Sequence, residues 1–391
     1  MSYQPATTRR RHVAPQAIQA RLSSISQRYF TRRLAALMQS APPLGPNPTL
    51  GSLALAIHQS EHMRSAVMEF EHQQVLKNFK TKIVFHPRYR QAFSQIQNAI
   101  ENTEALGEPV CALLCGPSGS GKSTLCEYFR KLYAGESEVQ RDDGTYTNLP
   151  VFYCEVPSPA TVKGLITNML RLLINATPSG TVEKLTHQLI TCLKTSQVRV
   201  IFLDEIQRLC INTVSAKVRL DSLQWIVSLL NGAGIPVILS GTGRCRDIRR
   251  EDEAFENRYP YFAELSNFDY GLGVSSDYFA TLQHLDAAMY QIAPLESGVH
   301  LNDPTIAAPL FVGTRGNLKR MRLVINDALK TCMGRKKPFG LTADDFITAC
   351  QYVALPKNLS DGNPFALSYH DALVLITHLE EVEHNEEDDD E

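Results

Sequence analysis

The fold is constrained most by one short stretch, GPSGSGKST, at residues 116–124. It matches the pattern G-x-x-x-x-G-K-[ST], and it lies between an apolar run typical of a buried strand and a run with the apolar spacing of a helix. Its glycines let the backbone curl so that successive N–H groups point at phosphate oxygens, and the start of the helix adds a partial positive charge. The stretch therefore predicts a phosphate-binding loop between a central strand and a helix.

Each residue of this loop is a candidate contact for a bound nucleotide. Lys122 is expected to reach the β- and γ-phosphates of ATP and so to support catalysis, and the Ser123 hydroxyl is expected to bind Mg²⁺. The predicted nucleotide-binding residues of the loop are Gly116, Pro117, Ser118, Gly119, Ser120, Gly121, Lys122, Ser123 and Thr124.

A second apolar run ends in two adjacent carboxylates, Asp204 and Glu205, within VRVIFLDEIQRL (198–209). It follows the phosphate loop by about 80 residues, a common separation for a Walker B strand, and we expect it beside the P-loop strand. Asp204 would then hold Mg²⁺ through water, and Glu205 would orient and polarise an attacking water as the catalytic carboxylate. This pair favours a hydrolase over a small-molecule kinase, which has to exclude water.

Two further segments carry candidate catalytic residues. The run VILSGTG (237–243) predicts another strand near the first two, and its polar end offers Thr242, ahead of Ser240, for the γ-phosphate or the attacking water; a simple turn is the alternative. Arg258 precedes the aromatic run YPYFAEL and is a candidate arginine finger, which would reach the nucleotide of a neighbouring subunit. Arg244 is the second candidate. The alternative is that Arg258 is an ordinary surface residue.

A basic helix start lies in FVGTRGNLKRMRLVINDAL (311–329). A glycine interrupts the helical pattern, and the helix predicted after it carries Lys319 and Arg320 in its first turn. These two cations are predicted to contact the γ-phosphate from a lid. Arg315 is a third candidate. The alternative is a basic helix that faces solvent or DNA.

The chain is organised into four parts. Residues 1–52 are predicted to be a basic arm and a Pro/Gly linker, and residues 53–270 to hold N-terminal helices and an α/β nucleotide-binding domain. Strands alternate with helices in that domain and are continuously apolar, which predicts a parallel sheet covered by helices on both faces. From about 275 the pattern indicates helices alone, giving a helical lid at 271–355, and residues 356–391 form a C-terminal helix and an acidic tail.

Charge and cysteine usage narrow the class of protein. The first sixty residues contain seven Arg and no acid, and the last twelve contain nine acids, so a net charge of −2 hides strong segregation. Such ends are either solvated or bind partners of opposite charge, including nucleic-acid phosphates. The nine cysteines form no CxxC pair, which is typical of reduced thiols in a cytosolic protein, and no run approaches the length of a membrane span.

Taken together, these motifs resemble those of an AAA+ ATPase, an α/β P-loop NTPase with a small helical lid. The runs TKIVFHPRYRQAFSQIQNAI and VFYCEVPSPATVKGLITNMLRLL, in order with the two nucleotide motifs, resemble the TniB/TnsC family of DNA-transposition regulators over roughly residues 75–335. That resemblance implies bacterial, cytoplasmic proteins that bind ATP and Mg²⁺ and assemble as rings or filaments on double-stranded DNA. It also implies two protein partners, a transposase and a target-site selector, and no membrane.

In such an assembly, loops that line the pore would contact DNA. The basic residues best placed by topology are Lys163, after the second strand of the domain, and Lys217 and Arg219, after the Walker B strand. Contacts to phosphate predict binding that is sensitive to salt and tolerant of sequence. A solvated surface charge remains the alternative for each residue.

Two other functions share most of these residues. A helicase loader or replication initiator would usually carry a DNA-reading domain after the lid, and only about 35 residues follow residue 356. A nucleotide-dependent scaffold or signalling switch would not oligomerise, so a size measurement with a slowly hydrolysed ATP analogue separates it from the other two.

Overall fold

The computed structural model describes residues 68–134, 138–141, 144–174, 178–209, 215–246, 248, 253–271, 276–335 and 339–388. The arginine-rich arm, the Pro/Gly linker and the last residues of the acidic tail lie outside this described part. The described residues from Glu71 onward belong to one compact unit. None of the helices searched within the described ranges is long and apolar enough to cross a membrane.

Five parallel strands form the central sheet in the order β4-β5-β6-β1-β7. The strands are β1 Ala112–Cys115, β4 Val151–Glu155, β5 Val200–Asp204, β6 Val237–Gly241 and β7 Tyr261–Glu264. The register aligns Leu113 of β1 with Leu239 of β6 on one side and with Phe262 of β7 on the other. The expectation that the Walker B strand lies beside the P-loop strand is wrong, because β6 separates β5 from β1.

Helices cover both faces of this sheet, as the apolar strands predict. They are α1 Pro87–Leu106, α2 Lys122–Leu132, α3 Val162–Ile174, α4 Val182–Thr195, α5 Ala216–Ala233 and α6 Glu253–Arg258. Alternate strand residues serve opposite faces, so Leu114 and Phe202 pack with α1 and α2 while Leu113 and Leu203 pack with α3, α4 and α5. Burial of both faces holds the carboxyl ends of the strands in one row.

The sequence did not predict several elements of this domain, among them a hairpin and the helices α4 and α6. A short hairpin pairs β2 Glu138–Arg141 with β3 Gly144–Thr147 between α2 and β4. Helix α4 buries Leu185, Leu189 and Leu193 on one face, and its spacing of four residues is a helical signal that was available in the sequence.

The lid and the C-terminal segment that follows it contain five helices within their described residues, and these helices share one apolar core. They are α7 Asp277–Ile292, α8 Pro304–Thr314, α9 Leu318–Met333, α10 Ala343–Tyr352 and α11 Tyr369–Asp388. The expectation of helices alone after residue 275 is wrong, because β8 Leu295–Gly298 pairs in parallel with β9 Phe339–Leu341. These strands are short and carry no long apolar run, so sequence pattern does not mark them.

A half-buried arginine joins the lid to the segment that enters the sheet domain. The Arg322 guanidinium of α9 donates to the carbonyl oxygens of Phe79 and Lys82, both at 2.6 Å, and of Lys80 at 3.0 Å. Phe79 and Lys80 lie in the last turn of the helical segment that ends at residue 81, and Lys82 follows it, so their carbonyls have no partner from a further helical turn. Arg322 therefore fixes this entry segment against α9.

Candidate nucleotide-binding site

The phosphate loop runs from the end of β1 to the start of α2 and is closely packed. The Gly116 N–H donates to the Gly241 carbonyl at 3.1 Å, and a Cβ atom on Gly116 would lie 2.2 Å from the Leu265 carbonyl oxygen. Gly119 has a φ of 84°, in the left-handed region that favours glycine. The loop glycines thus permit both the backbone path and the close approach of neighbouring strands.

Lys122 is almost completely buried at the start of α2. Its Nζ donates to the carbonyl oxygens of Gly116 at 2.7 Å and Pro117 at 2.9 Å. Burial lowers the pKa of Lys122, and the carboxylates of Asp204 and Glu205 act in the opposite direction. The ammonium group therefore lies inside the loop, close to both candidate carboxylates.

Asp204 is 3% exposed and lies within a network of donors. Its Oδ2 accepts from the Ser123 hydroxyl at 3.0 Å and from the Tyr153 hydroxyl at 2.8 Å, and its Oδ1 accepts from the Glu205 N–H at 2.9 Å. Burial and the Asp204 hydrogen bond raise the pKa of Tyr153, so its hydroxyl keeps its proton. Tyr153 was missed from the sequence because it lies on β4, within an ordinary apolar strand.

Glu205 is held by two residues that follow it. Its Oε2 accepts from the Gln207 amide at 2.6 Å and lies 3.5 Å from the Arg208 guanidinium. The Gln207 amide oxygen accepts from the Thr242 N–H at 3.1 Å, so Gln207 links Glu205 to the end of β6. Glu205 itself has a φ of 62°, which is uncommon for a residue with a side chain.

Buried hydroxyl groups lie around the loop without protein partners. Among the described residues, the Ser120, Ser240 and Thr242 hydroxyl oxygens make no hydrogen bond. Thr242 follows β6 directly beside the start of the phosphate loop, where the sequence placed it. Buried polar groups normally have partners, so these hydroxyls and the Lys122 ammonium fit a site for a polar, phosphate-bearing ligand.

Metal binding by Ser123 and Asp204 stays a prediction. In the described ranges, no group of three or more His, Cys, Asp or Glu residues could hold a metal ion. Ser123 and Asp204, which contact each other, therefore offer few protein ligands. Mg²⁺ in nucleotide sites is usually held in that way, by one or two protein ligands together with substrate phosphates and water.

The two predicted finger arginines lie at opposite ends of the strands of the sheet. The Arg258 carbonyl accepts from the Cys111 N–H at 2.8 Å, which places it at the amino end of β1, about 13 Å of strand away from the phosphate loop. Its guanidinium lies 3.4 Å from the Glu108 carboxylate. Arg244 is exposed in the short turn after β6, on the loop edge. Arg258 is thus remote from the nucleotide site of its own chain.

Of the lid cations, Lys319 lies against the phosphate loop. Its backbone N–H donates to the Gly119 carbonyl at 3.1 Å, and its side chain is exposed. Arg320 instead donates to the Thr314 carbonyl at 2.9 Å, and burial together with Arg315 lowers its pKa. Lys319 is therefore the candidate lid cation that the fold brings closest to the loop backbone.

The predicted DNA contacts lie on two neighbouring helices. Lys163 is exposed in the first turn of α3, and Lys217 is exposed in the first turn of α5, while Arg219 is half-buried. These helices follow the adjacent strands β4 and β5 and contact each other. The structure thus places the three cations at the starts of two packed helices.

Comparison with known proteins gives one family and several similar folds. A family model described as "Bacterial TniB protein" matches residues 75–268, about half of the chain. No curated protein sequence matches.

Three solved structures are similar at low identity. The ORC1 protein of Aeropyrum pernix, solved in complex with DNA, is 14% identical with a TM-score of 0.48, covering 70% of this chain and 67% of that chain. The ORC2 protein of the same organism, solved as ADPNP-ADP complexes, is 14% identical with a TM-score of 0.48, covering 68% of each chain. Cdc6p of Pyrobaculum aerophilum is 15% identical with a TM-score of 0.44, covering 68% and 67%. These likenesses concern the fold alone.

The family match includes the phosphate loop, Asp204, Glu205 and the end of β6. It also includes all five strands of the parallel sheet that positions these groups. The resemblance inferred from the sequence is therefore confirmed: across residues 75–268 the chain belongs to the TniB family, and it is an AAA+ ATPase.

Proposed function

We propose that the protein is an ATP-dependent regulator of DNA transposition. In this proposal it oligomerises on double-stranded DNA, links a target-site selector to a transposase, and uses ATP hydrolysis to limit the lifetime of the assembly. The TniB family match over residues 75–268 is the observation that carries the proposal. The same bacterial family leads us to propose a cytoplasmic location.

The residues of the site have distinct roles in the proposed hydrolysis of ATP. The N–H groups of the phosphate loop and the Lys122 ammonium would bind the phosphates, and Ser123 and Asp204 would hold Mg²⁺. The bound ion would offset negative charge on the phosphates. Thr242 has a free hydroxyl beside the loop for the γ-phosphate or for the attacking water.

Glu205 would act on the attacking water as a general base. Its carboxylate is bound by Gln207 and paired with Arg208, so part of its hydrogen-bonding capacity is used within the protein. Arg208 also donates to the Val156 carbonyl and lies 3.8 Å from Glu155, at the end of β4. In our proposal, hydrolysis ends the ATP-bound state, so Glu205 sets how long an ATP-bound assembly persists and does not drive the conversion of another substrate.

The proposed DNA contacts are Lys163, Lys217 and Arg219. A phosphate group that meets these exposed lysines would also be attracted by the partial positive charge at the starts of the two helices. Contacts with the phosphate backbone of DNA do not depend on the base sequence. They suit a protein whose target site is chosen by a separate selector protein.

Oligomerisation is supported by the place of Arg258. Arg258 lies at the amino ends of the strands, away from the phosphate loop of its own chain, so any contact of its guanidinium with a nucleotide would be with that of a second copy. A ring or filament in which each copy faces the next in the same sense would bring these two surfaces together.

The proposal is tested by imaging and sizing the protein with duplex DNA and a non-hydrolysable ATP analogue. We expect nucleotide-dependent oligomers on DNA, and we expect Glu205→Gln to form assemblies that persist with ATP, because nucleotide binding survives while water activation fails. The double variant Lys163→Glu and Lys217→Glu should weaken DNA binding and flatten its salt dependence. The matched control, with the same change of charge, is the double variant Lys194→Glu and Lys330→Glu, since Lys194 is exposed at the end of α4 and Lys330 is exposed in the last turn of α9.

Two results would overturn the proposal. One is a wild-type protein that binds ATP but neither oligomerises nor shifts duplex DNA, which would favour a nucleotide-dependent scaffold. The other is equal loss of DNA binding in the control and in the double variant of Lys163 and Lys217, which would place the DNA elsewhere.

A further inference from the structure

Asn317 lies at the junction between the lid and the phosphate loop. It is 2% exposed and directly precedes α9. Its side-chain amide donates to the Ser118 carbonyl of the phosphate loop at 3.0 Å and to the Asn267 amide oxygen at 3.0 Å. Its own amide oxygen accepts from the Arg320 N–H at 3.3 Å and so caps α9. One buried side chain therefore joins three separate parts of the chain.

The backbone of α9 contacts the same loop beside Asn317. The Lys319 N–H donates to the Gly119 carbonyl at 3.1 Å. A Cβ atom on Gly119 would lie 2.7 Å from the Lys319 Cβ and 2.9 Å from the Asn317 amide oxygen, so the two surfaces meet without a gap. Glycine at position 119 is thus required by the lid as well as by the loop conformation.

The chain on the other side of Asn317 is also fixed. The Gly316 carbonyl accepts from the Phe268 N–H at 3.0 Å, and a Cβ atom on Gly316 would lie 1.9 Å from the Phe268 carbonyl oxygen. Phe268 packs in the lid core and against the His86 ring at 4.9 Å between centroids. The start of α9 therefore has little freedom to move relative to the residues that follow β7.

We propose that Asn317 is a positioning residue that couples the phosphate loop to the lid. In a phosphate loop the N–H groups face the phosphates, and here the Ser118 and Gly119 carbonyls face the start of α9. A nucleotide that restricts the motion of the loop N–H groups also restricts the carbonyl groups of the same loop. The hydrogen bonds of Asn317 extend this restriction to α9 and to Lys319. This inference concerns nucleotide binding alone and does not depend on DNA or on transposition.

The variant Asn317→Asp separates this role from helix capping. Aspartate caps helices as well as asparagine does, so the bond from the Arg320 N–H is kept. Both donations from the amide are lost, and a carboxylate oxygen meets the Ser118 carbonyl. We expect the dissociation constant for ATP to rise about tenfold, which corresponds to the net contribution of one to two hydrogen bonds.

A matched control lies elsewhere in the lid. Asn363 caps the short helical turn Pro364–Ala366 through a bond from the Phe365 N–H at 3.1 Å, and its amide donates to the Ile347 carbonyl at 2.7 Å. Asn363→Asp therefore removes the same kind of donation without touching the phosphate loop. We expect it to lower the melting temperature and to leave the affinity for ATP within twofold of wild type.

The test measures ATP binding and the exchange of backbone amide hydrogens in α9. Wild type should show slower exchange in α9 when ATP is bound, and Asn317→Asp should lose most of that response while keeping it in α2. Asn317→Ser, which retains a capping oxygen, provides a second variant if the aspartate variant fails to fold. If wild type fails to bind ATP, the nucleotide site itself is wrong. An unchanged response of α9 in a folded variant, or equal effects of the two aspartate variants on affinity, would overturn the coupling.

Discussion

Glu205 offers a direct test of whether the active site stores backbone strain. Its φ of 62° lies in the left-handed region, which costs a residue with a Cβ atom about 1–2 kcal/mol relative to ordinary backbone. Glu205→Gly and Glu205→Ala both remove the carboxylate, together with its contacts to Gln207 and Arg208. The two variants differ only in the Cβ atom, so their difference in stability reports the strain, offset by the greater conformational entropy that glycine loses on folding.

The expected magnitude follows from two opposing contributions. Glycine avoids the strain of about 1–2 kcal/mol but loses about 0.5–1 kcal/mol more conformational entropy on folding than alanine. From the midpoints of these two ranges we expect Glu205→Gly to be more stable than Glu205→Ala by about 0.8 kcal/mol, or about 2–3 °C in melting temperature. Both variants should hydrolyse ATP about 100- to 10,000-fold more slowly than wild type, because each lacks the general base.

Thermal unfolding of the nucleotide-free protein and steady-state phosphate release are the assays. A control comes from Gln197, which has a φ of 54° in the turn before β5 and lies outside the site. Gln197→Gly should likewise exceed Gln197→Ala in stability, with hydrolysis unchanged in both. If Glu205→Ala proves as stable as Glu205→Gly while the Gln197 pair differs as expected, Glu205 is not strained in solution and the reasoning fails.

Two further changes test the loop and the proposed contact between subunits. Gly116→Ala should abolish nucleotide binding, because its Cβ would lie 2.2 Å from the Leu265 carbonyl oxygen. Gly107→Ala is the control: its Cβ would have nothing within 4 Å, and the variant should bind a fluorescent nucleotide as wild type does. Equal binding by both variants would contradict the close packing at Gly116. Mixing Arg258→Ala with Lys122→Ala should restore hydrolysis above the average of the two separate proteins, because some interfaces then pair an intact Arg258 with an intact Lys122. Additive activity at every ratio would remove Arg258 from the trans site.

The nucleotide motifs were predictable because their chemistry is carried by neighbouring residues. The phosphate loop needs its glycines, lysine and serine in one short run, and the pair Asp204 and Glu205 needs only the end of one strand. Local order of this kind survives in the sequence as a pattern. The two covered faces of the sheet were predictable for the same reason, since strands that are apolar throughout require cover on both sides.

Partners of the site came from distant parts of the chain and left no such pattern. Tyr153 contacts Asp204 across 51 residues, and Asn317 contacts Ser118 across 199 residues. Gln207 lies only two residues from Glu205, yet its contact with Thr242 depends on β6 lying beside β5. None of the three is unusual in its local sequence, so only the packed fold identifies it.

The sequence by itself therefore determined the family of this protein, and it predicted the chemistry of the site: a phosphate loop, an aspartate proposed to bind a metal ion and a glutamate proposed to activate water. Tertiary structure alone decided the order of the strands, in which β6 lies between β1 and β5. It likewise decided that Arg258 lies at the amino ends of the strands. It also decided that the lid meets the loop through Asn317. The physical reason is that chemical roles depend on residue type and short spacing, whereas hydrogen bonds and packing between remote segments exist only once the chain has folded.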